Sequence, residues 1–156
     1  MKIALMLIIL LTGCATTYPT PKGLLFSKPL IVPDAQALAY FYQPKFKGVV
    51  ACLMVNIDSD GKACIGYPGY AEVFIEPGER NISFTPQSLI KIPTHAFKFN
   101  FESGKTYYFE LQNITPETNK EMIVQKNHNA ALGLIGWVLI NETEASGNLQ
   151  KLRAWE

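Results

Sequence analysis

The cysteines are the residues of this sequence with the most specific chemistry, and Cys14 stands in the most distinctive context. One basic residue, Lys2, is followed by an uninterrupted apolar run from Ile3 to Leu11. Nine residues of helix rise by about 13 Å, less than half of the ~30 Å hydrocarbon core of a bilayer. The run is therefore too short to span a membrane, and its flanks are typical of a secretory signal peptide.

The four residues Leu11-Thr12-Gly13-Cys14 resemble the bacterial lipobox, in which an aliphatic residue and two small residues precede a cysteine. The resemblance implies a thioether from Cys14 to a diacylglyceryl group and cleavage after Gly13, so that residues 1–13 are a lipoprotein signal peptide. Two or three acyl chains would hold the protein firmly, because each buried CH₂ contributes about 0.8 kcal/mol. The alternative is an ordinary cleaved signal followed by a free cysteine.

The residue after Cys14 bears on the destination of the protein. Inner-membrane retention of lipoproteins in double-membraned bacteria usually goes with Asp at that position, and this chain has Ala15. By this resemblance we expect a lipid anchor in the periplasmic face of the outer membrane.

The remaining chain is neutral and long enough for one domain with a sizeable core. Lys2 is removed with the signal peptide, so the mature chain keeps 13 of the 14 Lys and Arg residues, which balance its 13 Asp and Glu residues. Because no basic cluster is present, nucleic acid is not an expected partner. Residues 14–33 are interpreted as the lipidated cysteine with a tether over residues 15–23 and an edge strand or extended cover over Leu24–Val32. Residues 34–156 are interpreted as the folded domain.

Alternation of apolar and polar residues, interrupted by Gly and Pro turns, predicts a mainly β fold. Phe97, Phe99 and Phe101 alternate with polar residues in the clearest example. We expect an antiparallel β-sandwich of about seven to nine strands, with a flexible tether and a signal helix before it. Strands are predicted over Ala37–Tyr42, Val49–Ile57, Lys62–Gly66, Tyr70–Glu76, Asn81–Thr85, Phe97–Glu102, Tyr107–Gln112, Glu121–Lys126 and Leu134–Ile140.

The end of the chain carries a helix signal. Asn141 stands where an N-cap belongs, and Glu144 follows three residues later as in a capping box. A short C-terminal helix to about Leu152 is therefore predicted, weakened by Gly147.

Cys52 and Cys64 flank the turn signal Asp58–Gly61, so a hairpin brings them close together. An exported chain reaches an oxidising compartment, where a disulfide between them is permitted. The alternative is two small buried thiols, since cross-strand disulfide geometry is demanding.

Several segments together resemble an uncharacterised family of bacterial lipoprotein domains. Residues 39–44, Ala-Tyr-Phe-Tyr-Gln-Pro, resemble its Tyr-x-Tyr-Arg-Pro opening; Pro77-Gly78, residues 104–108 (Gly-Lys-Thr-Tyr-Tyr) and residues 144–149 are similar to its later landmarks. The resemblance covers most of residues 37–153, and the central layout is similar to the surface β-domain called PEGA. It implies fold and location and transfers no catalytic residues. Gln43 stands where an Arg is common in the family, so any salt bridge or site that this Arg forms in the family would be absent from this chain.

Other reactive residues lack the spacing of a known site. His95 and His128 stand outside any ligand motif. Asp58–Gly61 begins like a calcium loop, but Gly69 occupies the position of the final acidic ligand. Glu72 and Glu76 on one strand are more typical of a solvent-facing sheet surface than of a glycosidase. No catalytic, cofactor or metal site is predicted, and we do not expect an enzyme.

Three functions remain in order of preference. The first is a non-enzymatic, lipid-anchored envelope protein whose β-domain contacts another envelope protein. The second is a module that binds glycan or cell wall, with Tyr70, Phe74 and Tyr108 directed outward as stacking surfaces for sugar rings. The third is a hydrolase assembled from residues distant in sequence, which would need a pocket that joins His95 or His128 to an acid and a hydroxyl.

Overall fold

Two β-sheets packed face to face form the body of the protein. The computed structural model describes residues 21–28, 31–44, 52–86, 95–129 and 133–155. The strands are β1 (Ala37–Gln43), β2 (Leu53–Ile57), β3 (Asp60–Ile65), β4 (Gly69–Ile75), β5 (Gly78–Pro86), β6 (His95–Phe101), β7 (Thr106–Asn113), β8 (Ile123–Asn129) and β9 (Gly133–Ile140); a 3-10 turn spans Lys120–Met122 and the helix α1 spans Glu142–Leu149.

The strands divide into a five-stranded sheet in the order β4-β1-β7-β9-β8 and a four-stranded sheet in the order β3-β2-β5-β6. The predicted mainly-β sandwich with a short C-terminal helix is confirmed. One pair departs from the antiparallel expectation, because β1 and β7 run parallel, with Phe41 opposite Phe109. The two strands are far apart in sequence, with β2 to β6 between them, so no hairpin turn dictates their direction.

The space between the sheets is filled by alternate residues of each strand, as the period-two pattern predicts. Phe41 stacks on Phe109 with ring centroids 5.0 Å apart, and Trp137 stacks on Phe84 at 4.3 Å. The predicted apolar stripe of β6 also lies here, with Phe97 and Phe101 buried and Phe99 packed against them. These aromatic contacts join strands of both sheets into one core.

A second layer covers the other face of the five-stranded sheet. Its buried residues come from strands of that sheet and from the chain beyond β9: Leu38, Tyr40, Tyr42, Tyr70, Tyr108, Val138, Ile140, Ala145, Leu149 and Leu152. Helix α1 begins as predicted, because the Asn141 side chain accepts a hydrogen bond from the Glu144 amide at 3.0 Å. It ends at Leu149, earlier than predicted, and a turn at residues 150 and 151 leads into an extended segment.

The β2–β3 hairpin turns at the predicted position. Asp58 and Ser59 have φ values of 50° and 73°, as the two central residues of a type I′ turn require. The Asp58 carboxylate fixes the turn by accepting hydrogen bonds from the Asn81 amide at 2.9 Å and from the Arg80 guanidinium at 3.1 Å.

The predicted signal peptide (residues 1–13), Cys14 and most of the predicted tether lie outside the described residues, as does the start of the strand expected over Val49–Ile57. Residues 21–28 are described, and they pack on the sandwich. Pro21 and Gly23 are buried, although both belong to the stretch that was expected to be tether. Leu24 to Lys28 form the extended cover that was one of the two expectations.

Candidate functional site

Residues 21–28, here called the docked segment, pair with the chain that follows α1. The Gly23 amide donates to the Ala154 carbonyl at 3.1 Å, the Ala154 amide donates to the Leu24 carbonyl at 3.0 Å, and the Phe26 amide donates to the Leu152 carbonyl at 3.2 Å. An isolated bridge also joins Leu25 to Arg153. The docked segment is thus fixed by backbone pairing rather than by side chains alone.

The Phe26 ring of the docked segment packs into a cluster of aromatic rings. Its ring meets Tyr40 edge-on with centroids 5.1 Å apart and Tyr70 at 5.8 Å, and Tyr40 stacks on Tyr108 at 5.5 Å. Each such pair contributes about 0.5–1.5 kcal/mol beyond area burial. The expectation that Tyr70 and Tyr108 point outward is therefore wrong. They are 6% and 2% exposed, because the docked segment and α1 cover them.

The hydroxyl groups of these tyrosines remain protonated at neutral pH. The Tyr40 hydroxyl donates to the Glu72 carboxylate at 2.9 Å. Burial, then this hydrogen bond and the charge of Glu72, raise the pKa of Tyr40 far above its usual value. Burial is also the main cause that raises the pKa of Tyr70 and of Tyr108. The cluster is therefore a packing element that carries hydrogen bonds, and no tyrosinate is available in it.

A buried polar group lies under α1, on the face of β7 opposite the main core. Glu110 is nearly inaccessible, and its carboxylate accepts a hydrogen bond from the Asn148 side chain at 3.0 Å. Burial, together with the negative charge of Glu110, raises the pKa of Tyr42. A buried carboxylate near a protonated phenol could resemble an acid–base pair, but helix α1 closes it off, so we assign it to the attachment of α1 to the sheet.

Gln43, the position at which the chain departs from the family pattern, is fully buried at the end of β1. Its side-chain amide donates to the Gly66 carbonyl at 2.8 Å. Pro21 and Trp155 pack over Gly66 so closely that a Cβ there would collide with both. Gln43 therefore supports the surface on which the docked segment begins.

Cys52 and Cys64 form a disulfide in the structure, with Cα atoms 5.7 Å apart, inside the range of ordinary disulfides. Met54 lies directly opposite Cys64 in the β2–β3 ladder, so Cys52 reaches Cys64 diagonally from just before β2. The disulfide therefore links the two open ends of the β2–β3 hairpin.

A groove of about 570 Å³ separates the docked segment from the neighbouring edges of β3 and β4. Its lining combines apolar and charged side chains, including Leu24, Leu25, Lys62, Cys64, Glu72 and Trp155. The exposed fractions of Leu24 and Leu25 are 78% and 52%, so two adjacent apolar side chains face solvent here. The sequence carried one signal for this feature, the apolar triplet Leu24-Leu25-Phe26 directly after polar residues.

Phe74 is the one predicted contact residue that faces solvent, with 40% of its surface exposed. It lies on β4 beside a shallow cavity of about 320 Å³, which is also lined by Asp58, Asp60, Glu76 and Arg80. The Arg80 guanidinium donates to both Asp58 and Glu76. The combination of an aromatic ring with paired polar groups can contact a polar ligand that has an apolar face.

Groups that could perform catalysis are not assembled among the described residues. In these ranges no three His, Cys, Asp or Glu side chains are placed to hold a metal ion. His128 is exposed on β8 and lines neither of the two cavities described above, and the side chain of His95 lies outside the described part of the structure. Glu72 is held by Tyr40, and Glu76 by Arg80, so the two carboxylates have separate structural partners.

Comparison with protein families, with curated proteins and with solved structures found no match. The resemblance to a family of lipoprotein domains and to PEGA therefore stays a prediction. A search of the described residues for helices of sufficient length and apolarity to cross a membrane identified none.

Proposed function

We propose that this protein is a lipid-anchored bacterial envelope protein, attached through Cys14 to the periplasmic face of the outer membrane. Its β-sandwich is a non-enzymatic module that contacts another envelope protein. The observation that carries the proposal is Leu11–Cys14, which resembles a lipobox and begins at the last residue of a nine-residue apolar run. The short distance along the chain from Cys14 to the docked segment supports it, because a domain held near the bilayer meets other envelope proteins readily.

The anchor is tested by fractionation and mass spectrometry of the protein from its native membranes. We expect extraction by detergent only, and a mature N-terminus at Cys14 that carries a diacylglyceryl group. A Cys14→Ser variant should lose the anchor, whereas Cys52→Ser, which changes a cysteine of the folded domain, should keep it. Release of the wild-type protein by buffer alone, with an unmodified Cys14, would refute the proposal.

The interaction with another protein is tested by crosslinking in intact cells. A module of this kind should give an adduct heavier than the monomer, and the adduct should diminish when Cys14→Ser removes the protein from the membrane. Recovery of the monomer alone, at crosslinker levels that trap known envelope complexes, would count against the proposal.

A second candidate function, binding of cell-wall glycan, is favoured by the surroundings of Phe74. An exposed ring can stack on the apolar face of a sugar while the neighbouring Asp58, Glu76 and Arg80 bind its hydroxyl groups. Co-sedimentation with purified cell wall should then fall for Phe74→Ala and remain unchanged for Leu134→Ala, a similarly exposed apolar residue on β9. Equal sedimentation of the two variants would exclude this site.

A further inference from the structure

The place where the chain leaves the sandwich toward Cys14 is well defined. Pro21 is buried and packs with Trp155 over Gly66. Cys14 lies seven residues before Pro21, and seven residues span at most about 25 Å even when fully extended. If Cys14 carries lipid, as proposed above, the surface around Pro21 and Trp155 cannot be farther than that from the bilayer.

The side chains around this exit are apolar and exposed. Backbone pairing with residues 152–154 turns Leu25 outward opposite Arg153, and Leu24 borders the groove beside Trp155. Few large apolar residues are exposed in the described part of the chain, and Leu24 and Leu25 are two of them that are adjacent in sequence. Leucine and tryptophan together are the residues that enter the interface between headgroups and acyl chains.

Exposed cations outnumber carboxylates among the described residues of this surface. Lys22, Lys151 and Arg153 are exposed, and in the described part of the chain none of them forms an ion pair with a carboxylate; the Arg153 guanidinium donates a hydrogen bond to the Gly23 carbonyl at 3.1 Å. Of the nearby carboxylates, that of Glu142 pairs with Lys28, whereas that of Glu72 accepts a hydrogen bond from the neutral Tyr40 hydroxyl. Exposed cations beside apolar side chains complement a surface of anionic phospholipid headgroups.

We propose that the surface formed by Lys22, Leu24, Leu25, Lys151, Arg153 and Trp155, here called the basal surface, lies against anionic phospholipids of the membrane that holds Cys14. This inference rests on the proposed lipidation. Lipidation alone would leave the domain free to tumble at the end of its link. The basal surface instead fixes which side of the sandwich faces the bilayer.

Depth-dependent quenching of tryptophan tests this contact in the intact lipidated protein. The protein is reconstituted into vesicles of phosphatidylcholine and phosphatidylglycerol that contain a lipid with a spin label near the headgroup. Trp137 is fully buried in the sandwich, so a Trp155→Phe variant supplies its background signal. We expect Trp155 to be quenched several-fold more strongly than Trp137, and the difference to shrink in vesicles of phosphatidylcholine alone.

Variants separate contact from attachment. Leu24→Ser combined with Leu25→Ser should lower the quenching of Trp155, as should Lys22→Gln combined with Lys151→Gln. The matched control Phe74→Ser changes an exposed apolar residue outside the basal surface and should have no effect. All four side chains of the test variants are exposed, so the fold should persist, and circular dichroism checks this.

Flotation with the vesicles and the mass of Cys14 are read from the same samples. A protein that floats and carries acyl chains, but whose Trp155 is quenched no more than Trp137, would overturn the basal contact while the lipid anchor stands. A protein without acyl chains on Cys14 would overturn both. A photo-crosslinking group placed at position 25 should react with lipid. If it reacts with another protein instead, this surface binds a protein partner and the inference is refuted.

Discussion

The disulfide between Cys52 and Cys64 offers the sharpest test of the structure and of the compartment together. It closes the β2–β3 hairpin with a separation of 12 residues. Cys52 is buried, and Cys64 lies at the wall of the groove. The perturbation is reduction of the wild-type protein, with Cys52→Ala combined with Cys64→Ala as a permanent equivalent.

The expected magnitude follows from the length of the closed loop. Cross-linking a loop of this length removes about 10 cal/mol/K of entropy from the unfolded chain, so the bond contributes about 3 kcal/mol at 25 °C. This is a large part of the stability of a domain, which is about 5–15 kcal/mol. The double variant also removes two sulfur atoms from packed positions, so it should be no more stable than the reduced wild-type protein.

Urea denaturation with and without a thiol reductant measures the effect. We expect the midpoint of the oxidised protein to fall by about 1–3 M urea on reduction, given the usual dependence of the unfolding free energy on urea. The double variant should be insensitive to reductant. A wild-type protein whose midpoint is unchanged by reductant, with two free thiols in the unfolded state, would refute the disulfide and with it this evidence for an oxidising compartment.

Three further predictions follow from local geometry. Gly136→Ala should lower the free energy of unfolding by about 1–3 kcal/mol in chemical denaturation, because a Cβ there would collide with the Gln125 carbonyl of β8; a stability equal to wild type would contradict this close approach. Asp58→Asn should destabilise the protein at neutral pH, because hydrogen bonds from Asn81 and Arg80 hold the pKa of Asp58 below its usual range. That contribution is present above the unfolded pKa of about 3.9 and is lost as the pH falls through the folded value, so the unfolding curves of variant and wild type should converge in strong acid. The raised pKa values of the buried tyrosines predict a loss of stability in alkali, because tyrosines of the unfolded chain ionise above pH ~10 while those of the folded chain stay protonated. Tyrosinate absorbance should therefore rise together with the loss of circular dichroism. Ionisation in the folded state would contradict the burial of Tyr40, Tyr42 and Tyr108.

Much of the fold could be predicted because each strand carries its own local signal. The alternation of Phe97, Phe99 and Phe101 placed β6, and the Asn141 cap placed the start of α1, since both patterns act over a few residues. The Asp58 turn likewise fixed the β2–β3 hairpin. Strand pairing across long sequence distances has no comparable local signal, so the parallel contact between β1 and β7 could not be predicted.

The exposure of the tyrosines was misjudged for a related reason. An alternating strand indicates two different faces, and Tyr70 and Tyr108 lie on the face opposite the main core. Whether that face meets water depends on what covers it, and the cover comes from α1 and from Phe26, which is distant in sequence. An extended cover over Leu24–Val32 was one of two expectations, but no local pattern indicates which face it covers, so the groove beside Leu24 and Leu25 was not predicted.

The packing of the docked segment determines how long the link between Cys14 and the sandwich is. While Phe26 packs against Tyr40 and Tyr70, the link from Cys14 to the sandwich is seven residues and reaches at most about 25 Å. If the docked segment were released, the next described contact with the sandwich would be Val32, which packs against the second layer, so the link would comprise 18 residues and its reach would grow to about 65 Å. Release would also uncover the tyrosine cluster, so it is opposed by the burial of those rings as well as by the backbone pairing with Leu152 and Ala154. The same contacts that complete the second core therefore determine how far from the membrane the sandwich can act.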